Sequence, residues 1–236
     1  LTECFSWTFS NPEIMKDLGF PPEFLNMVEI QNPLSRNLRT MRTSIIPNLL
    51  LTAQKNHLEN ALSIFEIGPV FLPNESNFLP DEPQRLGILL MGYAHPRLWC
   101  YPDRKLYDFF DLKGLCEDLL EEISVSYRIE PTDFPVLHKG QALRFIVKNE
   151  TAGYLGKLNP KIAHKLEISE NTYIAEIYLD KFLTASPKQK TYKEISEYPS
   201  TSRDLAIVVD VDVPYAKILA SLKSIGEGIL RKIEIF

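Results

Sequence analysis

The sequence predicts an α+β fold, in which helices flank an antiparallel sheet. Strand-like apolar runs follow one another across short turns, as at 142–149 and 151–158, and strands joined this closely pair antiparallel. The clearest helical pattern, over 106–123, is set apart from these runs and does not alternate with them. Helices segregated from a group of strands are typical of the α+β class.

The first 60 residues predict short elements. Residues 3–10 alternate large apolar with small polar side chains, which is the pattern of a half-buried strand. A helix starts over 11–13, where asparagine supplies the N-cap and proline the first helical position. The stretch 27–35 predicts a strand that runs into a proline turn. A second helix is predicted over 43–58, with Pro47 in its first turn, where proline is tolerated.

The middle of the chain predicts two central strands and the longest helix. The strands are the apolar run that starts at residue 62 and ends at Gly68-Pro69, and the apolar run 85–93. Over 106–123, apolar residues recur at helical spacing. These residues are Leu112, Leu115, Cys116, Leu119, Leu120 and Ile123. Asp108 and Asp111 could be a pair of catalytic carboxylates, but their place at the helix start favours capping.

The remainder predicts a second group of strands and then a new module. The strands are 124–131, 142–149, 151–158 and 172–180, with a short helix over 159–168. A polar, lysine-rich stretch at 184–193 is typical of an interdomain linker. After it, a strand over 203–211, a helix over 214–226 and a strand over 231–236 give the β-α-β order of half a split βαβ module.

Composition narrows the possible function classes. The formal net charge of the 236 residues is −5, so no global attraction to nucleic acid is expected, and an RNA contact would need a local patch. The three cysteines are far apart and the four histidines are scattered, so we predict neither a disulfide framework nor a metal site. This use of cysteine predicts a protein of the reducing cytosol. No apolar run approaches the roughly 18 residues of a membrane span. Both ends read as strands, so we expect a part of a longer protein.

Residue chemistry alone gives little support for catalysis. The sequence contains no P-loop, no G-x-S-x-G elbow and no H-E-x-x-H motif. The two glycines of 153–156 lack the spacing of a dinucleotide-binding loop. The acidic residues of 117–122 are most simply the solvated face of the long helix.

Five stretches read together are more specific than any one of them. They are QNPLSRNLRTMRTSIIPNLL, SIFEIGPVF, YDFFDLKGLCEDLL, GYLGKLNPKIAHKLEI and YPSTSRDLAIVVDV. In this order they resemble the C-terminal half of the beta subunit of bacterial phenylalanine–tRNA ligase. The resemblance implies a copy of the class II synthetase catalytic core over residues 1–190. It also implies that a ferredoxin-like anticodon-binding domain begins at 191–236, and a partial module without partner strands predicts elevated mobility after about residue 190.

The resemblance also implies that the class II chemistry is missing. In the second class II motif, the catalytic sister subunit reads roughly G-R-V-Y-R, and an arginine there binds the ATP α-phosphate. This chain reads GPVFL over 68–72, so Leu72 stands at the position of that arginine. Losing one charge-assisted hydrogen bond to phosphate forfeits roughly 1.5–3 kcal/mol of binding. The third motif fails as well, since 173–183 lacks its glycines and its arginine.

Some residues remain candidates for a vestigial pocket or for RNA contact. Arg42 and Glu66 are the pocket candidates, although Arg42 is more simply a structural ion-pair residue. Arg203 matches the anticodon-domain signature, where it could contact tRNA or pair with the neighbouring Asp204. Lys188 and Lys190 lie in a run of lysines without an acid between them, which suits an RNA backbone or a solvated linker.

The resemblance therefore predicts a chain without catalytic residues of its own. It would support the catalytic alpha subunit in a cytoplasmic α2β2 ligase and contribute to binding of tRNA(Phe), while ATP and Mg²⁺ serve the holoenzyme and no cofactor binds this fragment. The alternative is a divergent adenylate-forming domain that holds ATP through Arg42 and Arg85. A free-standing RNA-binding module is a further alternative, which the low charge disfavours.

Overall fold

The computed structural model describes residues 1–35, 38–56, 61–74, 76–95, 99, 105–123, 125–185, 198–226 and 229–234. The chain forms two compact units that divide between Lys190 and Thr191. No helix among the described residues has both the length and the apolar character needed to span a membrane.

A mostly antiparallel sheet of seven strands forms the centre of the first unit. Its strands are β1 (Thr2–Glu3), β4 (Ala61–Pro69), β5 (Gln84–Gly92), β6 (Arg128–Pro131), β7 (Leu137–Val147), β8 (Glu150–Leu158) and β9 (Thr172–Tyr178). The order across the sheet is β1-β4-β5-β9-β8-β7-β6. Only the β1–β4 pair is parallel. Strands β2 (Phe9–Ser10) and β3 (Thr40–Met41) form a separate antiparallel pair.

Helices flank this sheet, and their starts follow from local sequence. They are α1 (Pro12–Asp17), α2 (Pro22–Leu25), α3 (Ile46–Lys55), α4 (Phe109–Ile123), α5 (Pro160–Lys165) and α6 (Leu179–Leu183). The second unit has its own helix, α7 (Tyr215–Ile225). The side chain of Asn11 caps α1 by accepting from the Glu13 amide at 2.9 Å. Asp108 Oδ1 accepts from the amides of Phe110 and Asp111 at the start of α4, so the capping interpretation of this carboxylate is confirmed.

Side chains alternate along the strands and give the sheet two buried faces. On the α3 face, α1, α3 and α5 pack against residues such as Ile64, Leu89 and Ile174. On the α4 face, α4 and α6 pack against residues such as Ile88 and Ile177. The close approach of α3 depends on a glycine at position 87 of β5, because a Cβ built there would lie 2.7 Å from Leu49 and 2.9 Å from Ile45.

Two predicted strands are wrong in the first 80 residues. The single strand expected at 3–10 is two short pieces in different sheets, because the chain between them turns inward to a buried polar cluster. The stretch 27–35 contributes only an isolated bridge from Glu29 to Thr40. The strand predicted to end at Gly68-Pro69 is confirmed, because β4 ends at Pro69, and an isolated bridge follows at Leu72.

In the second unit the helix is confirmed and the strands are not. Helix α7 ends at Gly226, whose amide donates to Leu222 O at 2.9 Å. The strand predicted at 203–211 has no pairing partner among the described residues, and the described part of 231–236 also lies outside any strand. An apolar, β-branched sequence satisfies a strand pattern, but a strand also requires hydrogen bonds to a neighbour.

Candidate functional site

The hairpin of β4 and β5 carries the position expected for an ATP-binding arginine. Beyond the end of β4, the amide of Leu72 donates to Asp81 O and the amide of Asp81 donates to Leu72 O, both at 2.9 Å. The Leu72 side chain packs against the buried cluster of the α3 face. This position therefore contributes to packing and offers no donor to a phosphate.

Arg42 lies at the centre of a buried polar cluster beside this hairpin. Its side chain is only 2% exposed, and Nη1 donates to Glu66 Oε1 at 2.6 Å and to Ser6 Oγ at 3.0 Å. Nε donates to Pro69 O at 2.9 Å, and Ser6 Oγ donates to Glu66 Oε2 at 2.6 Å. The two pocket candidates, Arg42 and Glu66, are thus brought together as a buried ion pair.

The backbone around this pair is equally constrained. The amide of Arg42 donates to Thr8 O at 2.8 Å, and the amide of Phe71 donates to Arg42 O at 2.8 Å. A Cβ built on Gly68 would lie 2.5 Å from Nη2 of Arg42, so only glycine leaves room for the guanidinium at this point. Arg42 therefore joins the N-terminal segment, the segment before α3 and the end of β4.

A second buried carboxylate, Glu176 on β9, holds the start of α3. Its Oε1 accepts from Ser44 Oγ at 3.0 Å and from the Ile45 amide at 2.5 Å, and Ser44 Oγ accepts in turn from the Ile46 amide at 3.2 Å. No side chain of the helix itself provides the N-cap. Burial raises the pKa of Glu176, although the Ile45 amide and the nearby Arg85 oppose this shift.

The second arginine named in the ATP-binding alternative, Arg85, is also occupied by the protein. Its side chain is 8% exposed and its guanidinium carbon lies 3.7 Å from the centre of the Tyr178 ring. Nη1 lies 3.8 Å from Asp180 Oδ2, which makes an ion pair without a hydrogen bond. Burial is also the main reason that the pKa of Tyr178 is raised. Arg85 is therefore held by a cation–π contact and a nearby carboxylate.

These contacts decide what the α3 face can do chemically. A phosphate could reach Arg42 only by breaking its buried pair with Glu66, whereas Arg85 is covered by the Tyr178 ring and lies 3.8 Å from Asp180. Separating a buried ion pair leaves an uncompensated charge at a cost of about 3–5 kcal/mol. Among the described residues, no group of three or more His, Cys, Asp or Glu side chains could hold a metal ion. The geometry supports a packed polar core on this face.

The residues expected to contact tRNA are not brought together with this cluster. Lys188 and Lys190 lie outside the described residues. Arg203 is exposed in the second unit, where Nη1 donates to Ser202 O at 3.5 Å. The described chain shows no ion pair between Arg203 and Asp204, so the internal salt bridge considered for them is absent.

Sequence reasoning missed Ser6, Ser44 and Glu176. A signal for Glu176 was present, because it is the single acid within the apolar strand run 172–178, and a lone charge in such a run requires a buried partner. Glu66 has the same setting in β4. The two serines gave no signal, since serine is common in loops and only the fold shows which hydroxyl faces a carboxylate.

The similarity of this chain to known proteins extends over its whole length. Residues 1–179 match the family described as the phenylalanyl tRNA synthetase beta chain CLM domain. This chain belongs to that family. It is 32% identical to the phenylalanine–tRNA ligase beta subunit of Symbiobacterium thermophilum and 33% identical to that of Carboxydothermus hydrogenoformans, with the whole of this chain aligned in both. The beta subunit of Shouchella clausii is 31% identical over the same coverage.

The chain spans less than a third of the length of these relatives. The alignments cover 27% of the Symbiobacterium protein and 30% of each of the other two. The resemblance seen in the five sequence stretches is thereby confirmed at the level of the family. In this member of the beta chain family, the buried Arg42–Glu66 pair and the packed Leu72 side chain fill part of the α3 face of the sheet.

Proposed function

We propose that this chain is the non-catalytic, class II-like region of a phenylalanine–tRNA ligase beta subunit. Residues 1–190 form the catalytic-like core, which supports the catalytic alpha subunit in a cytoplasmic α2β2 enzyme. The holoenzyme uses ATP and Mg²⁺ to attach phenylalanine to tRNA(Phe). This chain contributes neither a catalytic residue nor a cofactor site, so on its own it is inactive.

One observation carries this proposal. The guanidinium of Arg42 is buried, paired with Glu66 and hydrogen-bonded to Ser6 and Pro69, in a region where a class II enzyme needs a free cation for phosphate. A cation whose charge is already matched by a buried carboxylate could bind a triphosphate only if that pair were broken. The sheet is therefore suited to a structural role beside a catalytic partner, and the subunit designation of the relatives fits that role.

The second unit fits the start of a ferredoxin-like module that binds the tRNA anticodon. Helix α7 is the one element of the predicted β-α-β order that the described residues form, and it supports this part of the proposal. In this proposal Arg203, Lys188 and Lys190 contact the tRNA backbone. Replacing all three with glutamine would weaken tRNA(Phe) binding by the assembled ligase, with a shallower dependence on salt, and unchanged binding would contradict their assignment.

The alternative of a divergent ATP-binding domain has no support from the site. It required Arg42 and Arg85 as phosphate ligands, and each is buried against a carboxylate or an aromatic ring. Exposing either one would require the α3 face to open.

Reconstitution tests the proposed role. The full-length protein that contains this sequence is co-expressed with a tagged phenylalanine–tRNA ligase alpha subunit, and aminoacylation is measured with and without it. We expect the two proteins to co-purify and charging of tRNA(Phe) to require both. Charging at the full rate by the alpha subunit alone would contradict a supporting role. As a matched control, a Lys113→Gln variant changes only a half-buried pair on α4 and should assemble normally.

A further inference from the structure

A small cavity lies far from the buried cluster, between the start of β6 and the turn that joins β7 to β8. Its volume is about 190 Å³, and its lining comprises Ser126, Tyr127, Arg128, Ile146, Lys148 and Asn149. Drug-sized ligands usually occupy roughly 300–1,000 Å³. This cavity therefore has room for one chemical group and not for a whole nucleotide.

The cavity carries two cations and its lining contains no carboxylate. Arg128 Nη2 donates to Asn149 Oδ1 at 3.0 Å, and Lys148 Nζ donates to Thr184 O at 3.2 Å. Both acceptors are neutral, so these hydrogen bonds position the side chains without cancelling their charge. The site is electropositive and already oriented.

The nearest acid, Glu130, is shared between two arginines. Glu130 Oε1 lies 3.9 Å from Arg128 Nη2, which makes an ion pair without a hydrogen bond. The other oxygen of Glu130 instead accepts from Arg144 Nη2 at 3.0 Å. One carboxylate thus faces two guanidinium groups, so the site keeps a net positive charge, and Arg128 makes no hydrogen bond to Glu130.

The backbone and the aromatic wall hold the cavity in shape. Lys148 and Asn149 form a two-residue hairpin loop with φ angles of 49° and 68°, and left-handed angles at both positions are the mark of a type I′ turn. The Tyr127 ring packs edge-on against Phe145 and Phe182, with centroid distances of 5.8 and 6.2 Å. Preorganised groups lose little entropy on binding.

We propose that this cavity binds a phosphate group of an RNA backbone. Two cations and a serine hydroxyl supply donors to phosphate oxygens, and the small volume suits a single phosphodiester. The choice of RNA rests on the proposed function, because tRNA is the polyanion that such an enzyme handles. Arg128 and Lys148 are then the residues through which the sheet end opposite β1 contacts the substrate.

The test uses the full-length protein assembled with its alpha subunit. The variant is Arg128→Gln/Lys148→Gln, and the control is Lys113→Gln, whose ammonium is paired with Glu117 at 2.6 Å. The dissociation constant for tRNA(Phe) is measured by filter binding across a series of salt concentrations. One lost phosphate contact reduces the slope of log K against log salt by about 0.7–0.9 and weakens binding roughly fivefold to tenfold at 0.1 M salt. The control should match the wild type in both.

An unchanged dissociation constant and slope in the double variant would overturn the proposal. A second arm titrates inorganic phosphate, followed by thermal unfolding. Phosphate binding tighter than about 1 mM that depends on Arg128 and Lys148, with tRNA binding unaffected, would identify a free-anion site and also overturn it. Co-purification with the alpha subunit and phenylalanine-dependent ATP–pyrophosphate exchange need no tRNA. If these persist in the double variant, failure here leaves the proposed function standing.

Discussion

Both faces of the central sheet are buried, but one contains charged side chains and the other is apolar. The α3 face contains Arg42, Glu66 and Glu176, each 2% exposed or less, together with Arg85. The α4 face is covered by helices that contribute residues such as Leu112 and Phe182, and its buried described residues are apolar. The same strands supply both faces, because alternate residues point in opposite directions.

The difference between the faces separates two ways of stabilising a sheet. The α4 face needs only volume and close packing, so its residues are interchangeable within their size class. The α3 face needs matched partners, because each buried charge is tolerated only while its counterpart is present. A face with charges would suit ligand binding in a catalytic relative. In this chain, the buried charged side chains of the α3 face are instead paired with other residues of the same face.

The largest effect is expected from removing one member of the buried ion pair. Glu66→Ala leaves the Arg42 guanidinium buried without its carboxylate, and we expect the free energy of unfolding to fall by about 3–5 kcal/mol. Urea denaturation followed by circular dichroism measures the change.

The matched control for this experiment is the double variant Arg42→Met/Glu66→Leu. It removes both charges and keeps similar volumes, so its loss should be clearly smaller than that of the single variant. A loss for Glu66→Ala below about 1 kcal/mol, the range of exposed pairs, would contradict the difference drawn between the faces.

On the α4 face, the expected loss depends on volume alone. Leu112 is fully buried, and Leu112→Ala should lower the free energy of unfolding by about 2–5 kcal/mol through lost burial and a residual cavity. Leu112→Met conserves volume and should lose less than about 1.5 kcal/mol. Equal losses for the two variants, measured by the same denaturation, would show that this face is not governed by packing.

A smaller effect is expected from the glycine beside Arg42. Gly68→Ala places a methyl group 2.5 Å from Nη2 and forces the guanidinium to shift, with an expected loss of about 1–3 kcal/mol. Gly114→Ala in α4 is the matched control, since nothing lies within 4 Å of the added carbon. It should raise stability by about 0.5–1 kcal/mol, because alanine favours the helix. A stabilised Gly68→Ala variant would mean that Arg42 has room to move.

The subtlest effect is a pH dependence carried by Glu176. Its pKa is raised above the ordinary value of 4.5 by burial, so its contribution to stability is full below pH 4.5 and is lost as pH rises through the folded-state pKa. Ser44, Arg42 and Arg85 are its polar side-chain neighbours.

Glu176→Gln should therefore remove the pH-dependent contribution of this carboxyl group to the free energy of unfolding. Relative to the wild type, the variant should be most destabilised near pH 5 and become progressively less so toward pH 8. Denaturation of both proteins at several pH values measures this difference. A difference between them that stays constant with pH would show that the pKa of Glu176 is the same in the folded and unfolded states.

Much of the fold could be predicted from sequence because its signals are local. The period of α4, the N-cap at Asn11 and the strands of the β7–β8 hairpin each depend on neighbours within a few residues. The short strands at the N-terminal end could not be predicted this way. Their pairing depends on the Arg42 cluster, whose members are up to 60 residues apart in sequence.

The site was predictable only in part, for the same reason. Leu72 and the absence of an arginine there are visible in the sequence, and the lone acid in β4 marks Glu66 as unusual. The identity of its partner is not visible, because either Arg42 or Arg85 satisfies the same requirement for a cation. The structure decides between them. Gly68 pairs with Arg85 in the β4–β5 ladder, and the space left by the missing side chain of Gly68 is occupied by the Arg42 guanidinium.

Calorimetric titration of the chain with Mg-ATP tests most directly whether the buried charges of the α3 face are paired with one another and therefore closed to ATP. We predict no detectable heat of binding at nucleotide concentrations up to about 1 mM, which corresponds to a binding free energy weaker than roughly −4 kcal/mol. The Arg42→Met/Glu66→Leu variant should give the same result. Micromolar binding by the wild type that disappears in this variant would contradict the account, because it would show that Arg42 is free to bind phosphate.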